Sequence, residues 1–197
     1  MGPKDFWRRE ISASRILVGA ISVGLMVALA ALAGCRGSAV IGEEKPTLEL
    51  TSSSFRDGEI PKKFTCDGAD VSPELAWAAP PAGTKSFALI VVDRDAPIGS
   101  FVHWVLYDIA GEKRELPEGL PTQEQFPDGS RQGRNDFDKT GYGGPCPPKK
   151  SPHRYVFALY ALDATLNLPA GATKKQVEKA LEGHILAHGE LTGRYQR

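Results

Sequence analysis

Four segments of this 197-residue chain carry side chains suited to binding or catalysis. In chain order they are Asp93-Arg94-Asp95-Ala96-Pro97, Phe101-Val102-His103-Trp104, Gly133-Arg134-Asn135-Asp136-Phe137 with the following Gly141-Tyr142-Gly143-Gly144-Pro145-Cys146-Pro147-Pro148, and His153-Arg154-Tyr155. Histidine rings and tyrosine hydroxyls can donate hydrogen bonds to an anion, and glycine lets a backbone approach a ligand closely. The same His and Asp residues are also metal ligands in other proteins, so a hydrolase is a second interpretation.

Each segment alone has an ordinary structural explanation. Two carboxylates at the end of a strand often form a solvated turn. A histidine beside a tryptophan is often a satisfied core residue, and a Gly-Pro stretch is often only a loop. A binding site is therefore predicted only by the occurrence of all four segments together and in this order.

Three apolar runs predict the strands that position these segments, namely Ser86–Asp93, Phe101–Ile109 and Arg154–Asp163. Leu48–Leu50 and Leu191–Tyr195 are weaker strand candidates. The stretches 112–133 and 135–152 are rich in Gly and Pro and have no period, so we expect long ordered loops. The chain's 21 glycines and 15 prolines favour a β architecture with many loops over a helical bundle.

One amphipathic helix is expected near the end of the chain. Thr173 and Gln176 have the spacing of a capping box at its start. An apolar stripe then follows at helical spacing through Val177, Ala180, Leu181 and Ile185. Gly189 is the predicted stop.

Read in order, the segments D-x-D-A-P, x-H-W, G-x-N-D-F, G-Y-x-G-P-x-P-P and H-R-Y resemble the signature of the phosphatidylethanolamine-binding protein family. That family includes the Raf kinase inhibitor proteins, and the short link between the first two segments resembles its bacterial branch. The resemblance runs from about Phe64 to Tyr195. It implies an all-β fold with minor α content, a Greek-key β-sandwich with one or two short helices. It also implies a shallow pocket for small anions, phosphate esters among them.

The resemblance assigns the ligand-binding role to seven residues: Asp93, Pro97, His103, Gly144, Pro145, His153 and Tyr155. The two histidine rings, the tyrosine hydroxyl and the Gly143–Gly144 backbone N–H groups are the expected donors to an anion. Asp93 would repel an anion, so we expect it to accept a hydrogen bond from a histidine and fix that ring's tautomer. This sequence departs from the family pattern at Arg94, where Pro is frequent, and at Asp138, where Gly is common.

The first 34 residues have the composition of an export signal. Basic residues precede the uncharged run Ile16–Gly34, and Leu32-Ala33-Gly34-Cys35 resembles the lipobox of bacterial lipoproteins, whose cysteine is acylated. We predict a signal peptide at 1–34, lipid such as palmitate on Cys35, a flexible tether at 35–46 and the binding domain at 47–197. An uncleaved transmembrane helix, an incidental cysteine and a twin-arginine signal at Arg8-Arg9 are the alternatives.

Two further cysteines, Cys66 and Cys146, remain if Cys35 carries lipid. A disulfide between them is possible in an oxidising compartment, and a free buried Cys66 is the alternative.

The sequence thus predicts a binding protein attached through Cys35 to a bacterial membrane, with its domain outside the cytoplasm. The expected ligand is a small anionic or phosphorylated molecule, and regulation or inhibition of a partner protein is a further possibility. No cofactor or metal is expected. Nucleic acid is not expected either, because 24 basic and 24 acidic residues balance. A hydrolase of the cell envelope and a scaffold with a vestigial pocket are the competing interpretations, although H-E-x-x-H, G-x-S-x-G and P-loop motifs are absent.

Overall fold

The computed structural model of the protein describes residues 46–97, 99–149 and 151–197. Its elements are β1 (Leu50–Thr51), a 3₁₀ helix (Lys62–Phe64), β2 (Leu75–Trp77), β3 (Ser86–Asp93), β4 (Phe101–Ala110), β5 (Glu115–Leu116), β6 (Arg131–Gln132), β7 (His153–Leu162), α1 (Lys174–Leu181) and β8 (Ile185–Tyr195). The predicted signal peptide, Cys35 and nearly all of the predicted tether lie outside the described residues. Within the described residues, no helix has the length and apolar character that crossing a bilayer requires.

Two antiparallel sheets form the domain, one with the strand order β6-β4-β3-β7-β8 and one with the order β1-β2-β5. The face of the larger sheet that meets the smaller sheet is called here the inner face. Trp77 of the smaller sheet packs against Phe87 of the larger one, with ring centroids 5.2 Å apart. The predicted all-β architecture with minor helix is confirmed.

Every residue of the central strand β3 is buried, because both of its faces are covered. Its inner face contributes Leu89 and Val91 to the core shared with the smaller sheet. The opposite, outer face packs beneath α1, whose Val177 and Leu181 are buried there. Burial on both faces explains why this strand reads as a continuous apolar run without alternation.

A β-bulge in β4 positions His103. Val102 pairs with Val92 and Trp104 pairs with Val91, so β4 has one extra residue opposite β3 at position 103. The bulge breaks the alternation of side chains, since His103 contacts Tyr155 on the inner face and Trp104 belongs to the inner core as well. Bulges of this kind redirect a side chain next to a binding site.

Helix α1 starts as predicted, with the capping box of Thr173 and Gln176 in place. Its predicted end is wrong. The helix ends at Leu181, and Gly183 follows in a left-handed conformation with φ of 83°. Gly189 lies inside β8, where an added Cβ would come within 2.0 Å of the Leu48 carbonyl oxygen. The glycine therefore allows a close chain approach and does not stop a helix.

Candidate functional site

A cavity of about 340 Å³ opens beside the ends of β3, β4 and β7. Four of the predicted ligand-binding residues line it, namely Asp93, Pro97, His103 and His153. The rest of the lining is largely apolar: Ala96, Phe101, Phe137, Cys146, Pro147 and Pro148. None of the described residues that line the cavity is a Lys or Arg, so among them only the two histidines can carry a positive charge.

His153 and Asp93 form a buried pair at the cavity. His153 Nδ1 lies 2.7 Å from Asp93 Oδ2, and each residue is 4 % exposed. The other carboxylate oxygen of Asp93 accepts a hydrogen bond of 2.8 Å from the Asp95 backbone N–H. A carboxylate can only accept, so Nδ1 of His153 carries the hydrogen and Nε2 is the ring nitrogen left for a ligand.

His103 has its Nδ1 bonded in the same way, but to a backbone carbonyl. Its Nδ1 lies 2.7 Å from the Gly143 carbonyl oxygen, so this nitrogen is the donor. Burial lowers the pKa of His103 below its usual value, and hydrogen bonding to Gly143 opposes the shift. The ring is therefore neutral near pH 7, and its free Nε2 is an acceptor. The expected N–H donor at this position is already used within the protein.

The Gly143 and Gly144 N–H groups are also already used. Gly143 donates to the His103 carbonyl oxygen at 2.9 Å, and Gly144 donates to Asp70 Oδ1 at 2.7 Å. The expectation that these two N–H groups bind an anion is therefore wrong. What Gly144 provides is a close chain approach, since an added Cβ would lie 2.5 Å from the Phe64 carbonyl oxygen.

Tyr155 lies behind the cavity and does not line it. Its ring meets that of His103 edge-on, with centroids 5.1 Å apart, and the residue is fully buried. Its hydroxyl has no hydrogen-bond partner among the described residues. Burial and the nearby charge of Asp93 raise the pKa of Tyr155, so the hydroxyl stays protonated. Pro145 is also buried and is not among the lining residues, and its carbonyl oxygen accepts a hydrogen bond from the Cys66 N–H at 3.1 Å.

Two phenylalanines form an aromatic side of the cavity that sequence reasoning missed. Phe101 and Phe137 meet edge-on with centroids 4.8 Å apart, and Phe137 lies 5.2 Å from the His103 ring. A signal for Phe101 was present, because it stands two residues before His103 and therefore on the same face of the strand. Phe137 reaches the cavity only through the fold of its loop.

Cys66 and Cys146 are joined by a disulfide, with their sulfur atoms 2.12 Å apart and their Cα atoms 5.4 Å apart. Both cysteines are exposed. Cys146 is also one of the residues that line the cavity. Of the two alternatives that the sequence left open, the structure contains the bridge.

Comparison with known proteins assigns the chain to a family. The family model described as phosphatidylethanolamine-binding protein matches residues 51–196. The chain belongs to the phosphatidylethanolamine-binding protein family. A UPF0098 protein of Aquifex aeolicus is 51 % identical over 153 residues, which cover 76 % of this chain and 89 % of that protein.

Two solved structures agree with the assignment. A phosphatidylethanolamine-binding protein homologue from Chlamydia trachomatis is 39 % identical with a TM-score of 0.69, covering 77 % of this chain and 98 % of that one. The Escherichia coli protein YbcL, described as a member of the mammalian family, is 34 % identical with a TM-score of 0.70, covering 76 % and 98 %.

The two departures from the family pattern have structural explanations. Asp138 adopts a left-handed conformation with φ of 60°, which glycine adopts without strain and aspartate tolerates. Arg94 donates its backbone N–H to the Arg154 carbonyl oxygen at 3.0 Å, a hydrogen bond that proline lacks the hydrogen to make. Neither Arg94 nor Asp138 is among the residues that line the cavity.

The neutral, buried His103 makes stability depend on pH. Its pKa is lower in the folded protein than the value of about 6.5 expected after unfolding, so the unfolded chain binds the extra proton first. This contribution to stability is present above about pH 6.5 and is lost as the pH falls toward the folded pKa. Urea unfolding between pH 7.5 and pH 5 should show a shallower decline for His103→Gln than for the wild type. Equal declines in the two proteins would contradict the neutral buried ring.

Proposed function

We propose that this member of the family is a binding protein whose cavity takes a small anionic ligand, a phosphate ester or a related oxyacid. The observation that supports the proposal most strongly is the buried His153–Asp93 pair in a cavity that is otherwise mainly apolar. The pair supplies one oriented ring nitrogen, and none of the described lining residues is a Lys or Arg. An anion bound against that nitrogen favours the doubly protonated ring, and the carboxylate of Asp93 balances its charge.

The hydrogen bonding of His103 indicates which kind of anionic ligand suits the cavity. Because its Nδ1 donates to Gly143, a neutral His103 presents an acceptor at Nε2. A phosphate monoester near neutral pH is partly monoprotonated, since its second ionisation lies near about 6. Such a group has an O–H that can donate to His103 and oxygens that can accept from His153. The aromatic side formed by Phe101 and Phe137 suits an apolar group on the ester.

A larger cleft of about 530 Å³ lies near the start of α1. Its lining holds three cations and three carboxylates, namely Arg134, Lys174, Lys175, Asp136, Asp138 and Glu178. Two of the cations are paired, Arg134 with Asp138 at 3.2 Å and Lys174 with Glu178 at 2.7 Å, and the carboxylates offset the positive charge that an anion would meet there. This comparison supports the 340 Å³ cavity as the ligand site.

Benzenesulfonate tests the proposal, because its charge does not change between pH 7.5 and pH 6. We expect its affinity to rise as the pH falls over this range, since a bound anion and ring protonation favour each other. In titration calorimetry on the full chain, His153→Gln should weaken binding and flatten the pH dependence. Binding that is independent of pH and of His153 would reject this ring as the anion donor.

Hydrolysis is the second candidate, because a histidine oriented by a buried carboxylate is also a general base. Incubating the full chain with phenyl phosphate and measuring released inorganic phosphate separates the two functions. Turnover that is lost in His153→Gln would favour the hydrolase. Binding without turnover would favour the binding protein.

The proposal includes attachment to a bacterial membrane through lipid on Cys35. Its support is the sequence Leu32-Ala33-Gly34-Cys35 at the end of an apolar run. The Cys35→Ser variant should move from the membrane fraction to the soluble or unprocessed fraction and lose the mass of the lipid. An unchanged fraction and mass would refute lipidation. Regulation of a partner protein is also part of the proposal, and membership of a family that includes Raf kinase inhibitor proteins supports it.

A further inference from the structure

The segment 144–148 forms one side of the cavity and is called here the cavity wall. At its start, the Gly144 N–H bonds Asp70 and the Pro145 carbonyl oxygen bonds the Cys66 N–H. Beyond Pro145, the described residues as far as Pro152 make no backbone–backbone hydrogen bond. Prolines 147, 148 and 152 have no N–H to donate. Among the described residues, the disulfide at Cys146 and the packing of the buried Pro147 are therefore the ties between the far part of the wall and the rest of the domain.

The position of this disulfide is unusual for a bridge that only stabilises a core. Both cysteines are exposed, and one of them lines the cavity. Exposed disulfides are the ones that thiols can reach, whereas buried ones are inert. A reaction at this bridge would therefore act directly on the shape of the ligand site.

We propose that the Cys66–Cys146 bridge is a thiol-exchange site, at which a dithiol opens the bridge, frees the cavity wall and weakens ligand binding. The effect on binding rests on the proposed function of the cavity. The opening of the bridge and the release of the wall do not depend on it.

Arg197 determines which sulfur is attacked. Its Nη1 lies 3.8 Å from Cys146 Sγ, and a guanidinium at that distance stabilises a thiolate. The same guanidinium also pairs with Asp67 at 3.0 Å, which offsets part of its charge. A thiolate that is stabilised by a guanidinium is the better leaving group, so the incoming thiolate attacks Cys66 and Cys146 leaves.

The dithiol supplies both the electrons and the protons that opening the bridge requires. The first thiolate of the reductant forms a bond to Cys66 Sγ, and the electron pair of the broken disulfide bond goes to Cys146 Sγ. The second thiol of the reductant, as thiolate, then attacks the sulfur of its own molecule in the mixed disulfide and displaces Cys66. The two protons released by the dithiol end on the two cysteine sulfurs, and the dithiol is oxidised to its disulfide.

The test uses the full chain with Cys35→Ser, in which Cys66 and Cys146 are the only cysteines. Dithiothreitol without denaturant should expose two alkylatable thiols, counted by mass spectrometry. Amide hydrogen exchange should then accelerate in peptides covering 144–152, while β3 and β7 stay protected. The affinity for phenylphosphonate should fall about tenfold, because only a fraction of the molecules keeps the wall in place.

Two sets of variants provide the controls. Cys66→Ser with Cys146→Ser should match the reduced protein and should not respond to dithiothreitol. Arg197→Gln should slow the reduction, and Arg197→Lys should restore part of the rate. A bridge that opens only in denaturant, or a wall whose exchange is unchanged after reduction, would overturn the inference. If the oxidised protein does not bind phenylphosphonate, the proposed function fails, and the thiol count and the hydrogen exchange still decide the question of the bridge.

Discussion

The Asp93→Asn variant is expected to bind phenylphosphonate about 30-fold more weakly than the wild type at pH 7, a loss of about 2 kcal/mol. In the wild type, the charged carboxylate accepts from His153 at 2.7 Å in a buried environment. The neutral amide keeps the shape of the side chain but does not balance a protonated ring. For benzenesulfonate, whose charge does not change between pH 7 and pH 6, lowering the pH should recover part of the affinity that the variant loses, because a bound anion and a protonated His153 ring favour each other. Titration calorimetry at pH 7 and pH 6 measures both effects.

Asp95→Asn is the matched control for this prediction, because it makes the same chemical change two residues away. Asp95 pairs with Arg154 at 2.7 Å and does not line the cavity. Hydrogen bonds from Arg154 hold the pKa of Asp95 down to about 2, so its carboxylate is charged at both pH values. We expect its replacement to change the affinity less than about twofold, because a charge outside the cavity is screened. Equal losses in the two variants would show that the general charge of the loop, and not the pair with His153, controls binding.

The Gly144→Ala variant is expected to lose about 3 kcal/mol of the free energy of unfolding. An added Cβ would lie 2.5 Å from both the Phe64 carbonyl oxygen and Asp70 Oδ1, and 2.8 Å from Thr65 Cα. Two of these three neighbours are backbone atoms, so a change of rotamer cannot remove the conflict. Urea unfolding of the two proteins at pH 7 measures the difference.

Gly119→Ala separates this contact from the general cost of replacing a glycine. Gly119 has a φ of 70° and open space where its Cβ would stand. Its replacement should cost about 1 kcal/mol from backbone strain alone. A Gly144→Ala variant as stable as Gly119→Ala would mean that the cavity wall moves away easily, and the close approach would then not be needed for stability.

The long strands were predictable because their own residues determine them. The runs at Ser86–Asp93 and Phe101–Ala110 are continuous and apolar, and the predicted bounds differ from the observed ones by at most one residue. The strands β2, β5 and β6 have three residues or fewer, which is too short to show a period. Their pairing is imposed by the rest of the fold. The end of α1 was not predictable for a similar reason. A glycine after an apolar stripe is typical of a helix end, but the fold places Gly189 inside β8, against the backbone of Leu48.

The candidate site was predictable in its residue types but not in its hydrogen bonding. The motifs identified Asp93, His103 and His153, and the structure brings all three to one cavity. The state of each donor depends on residues far away in the chain. His103 bonds Gly143, 40 residues on, and Gly144 bonds Asp70, 74 residues back. Such partners follow from tertiary packing, so the sequence alone could not show that these donors were already occupied.

The bulge in β4 has a consequence for anyone who transplants this site to another sandwich. One extra residue lets His103 face the cavity while the next residue, Trp104, fills the core on the same face. Copying the two side chains onto a strand with regular pleating would send one of them to the opposite face. Deleting His103 would restore regular pairing between β4 and β3 at this point, and Phe101, Val102 and Trp104 would keep their present partners and faces, so that only the cavity would lose a side chain. The position of the His103 ring thus depends on the number of residues in β4 as well as on their identities. A graft that copied only the identities would misplace one of the two side chains.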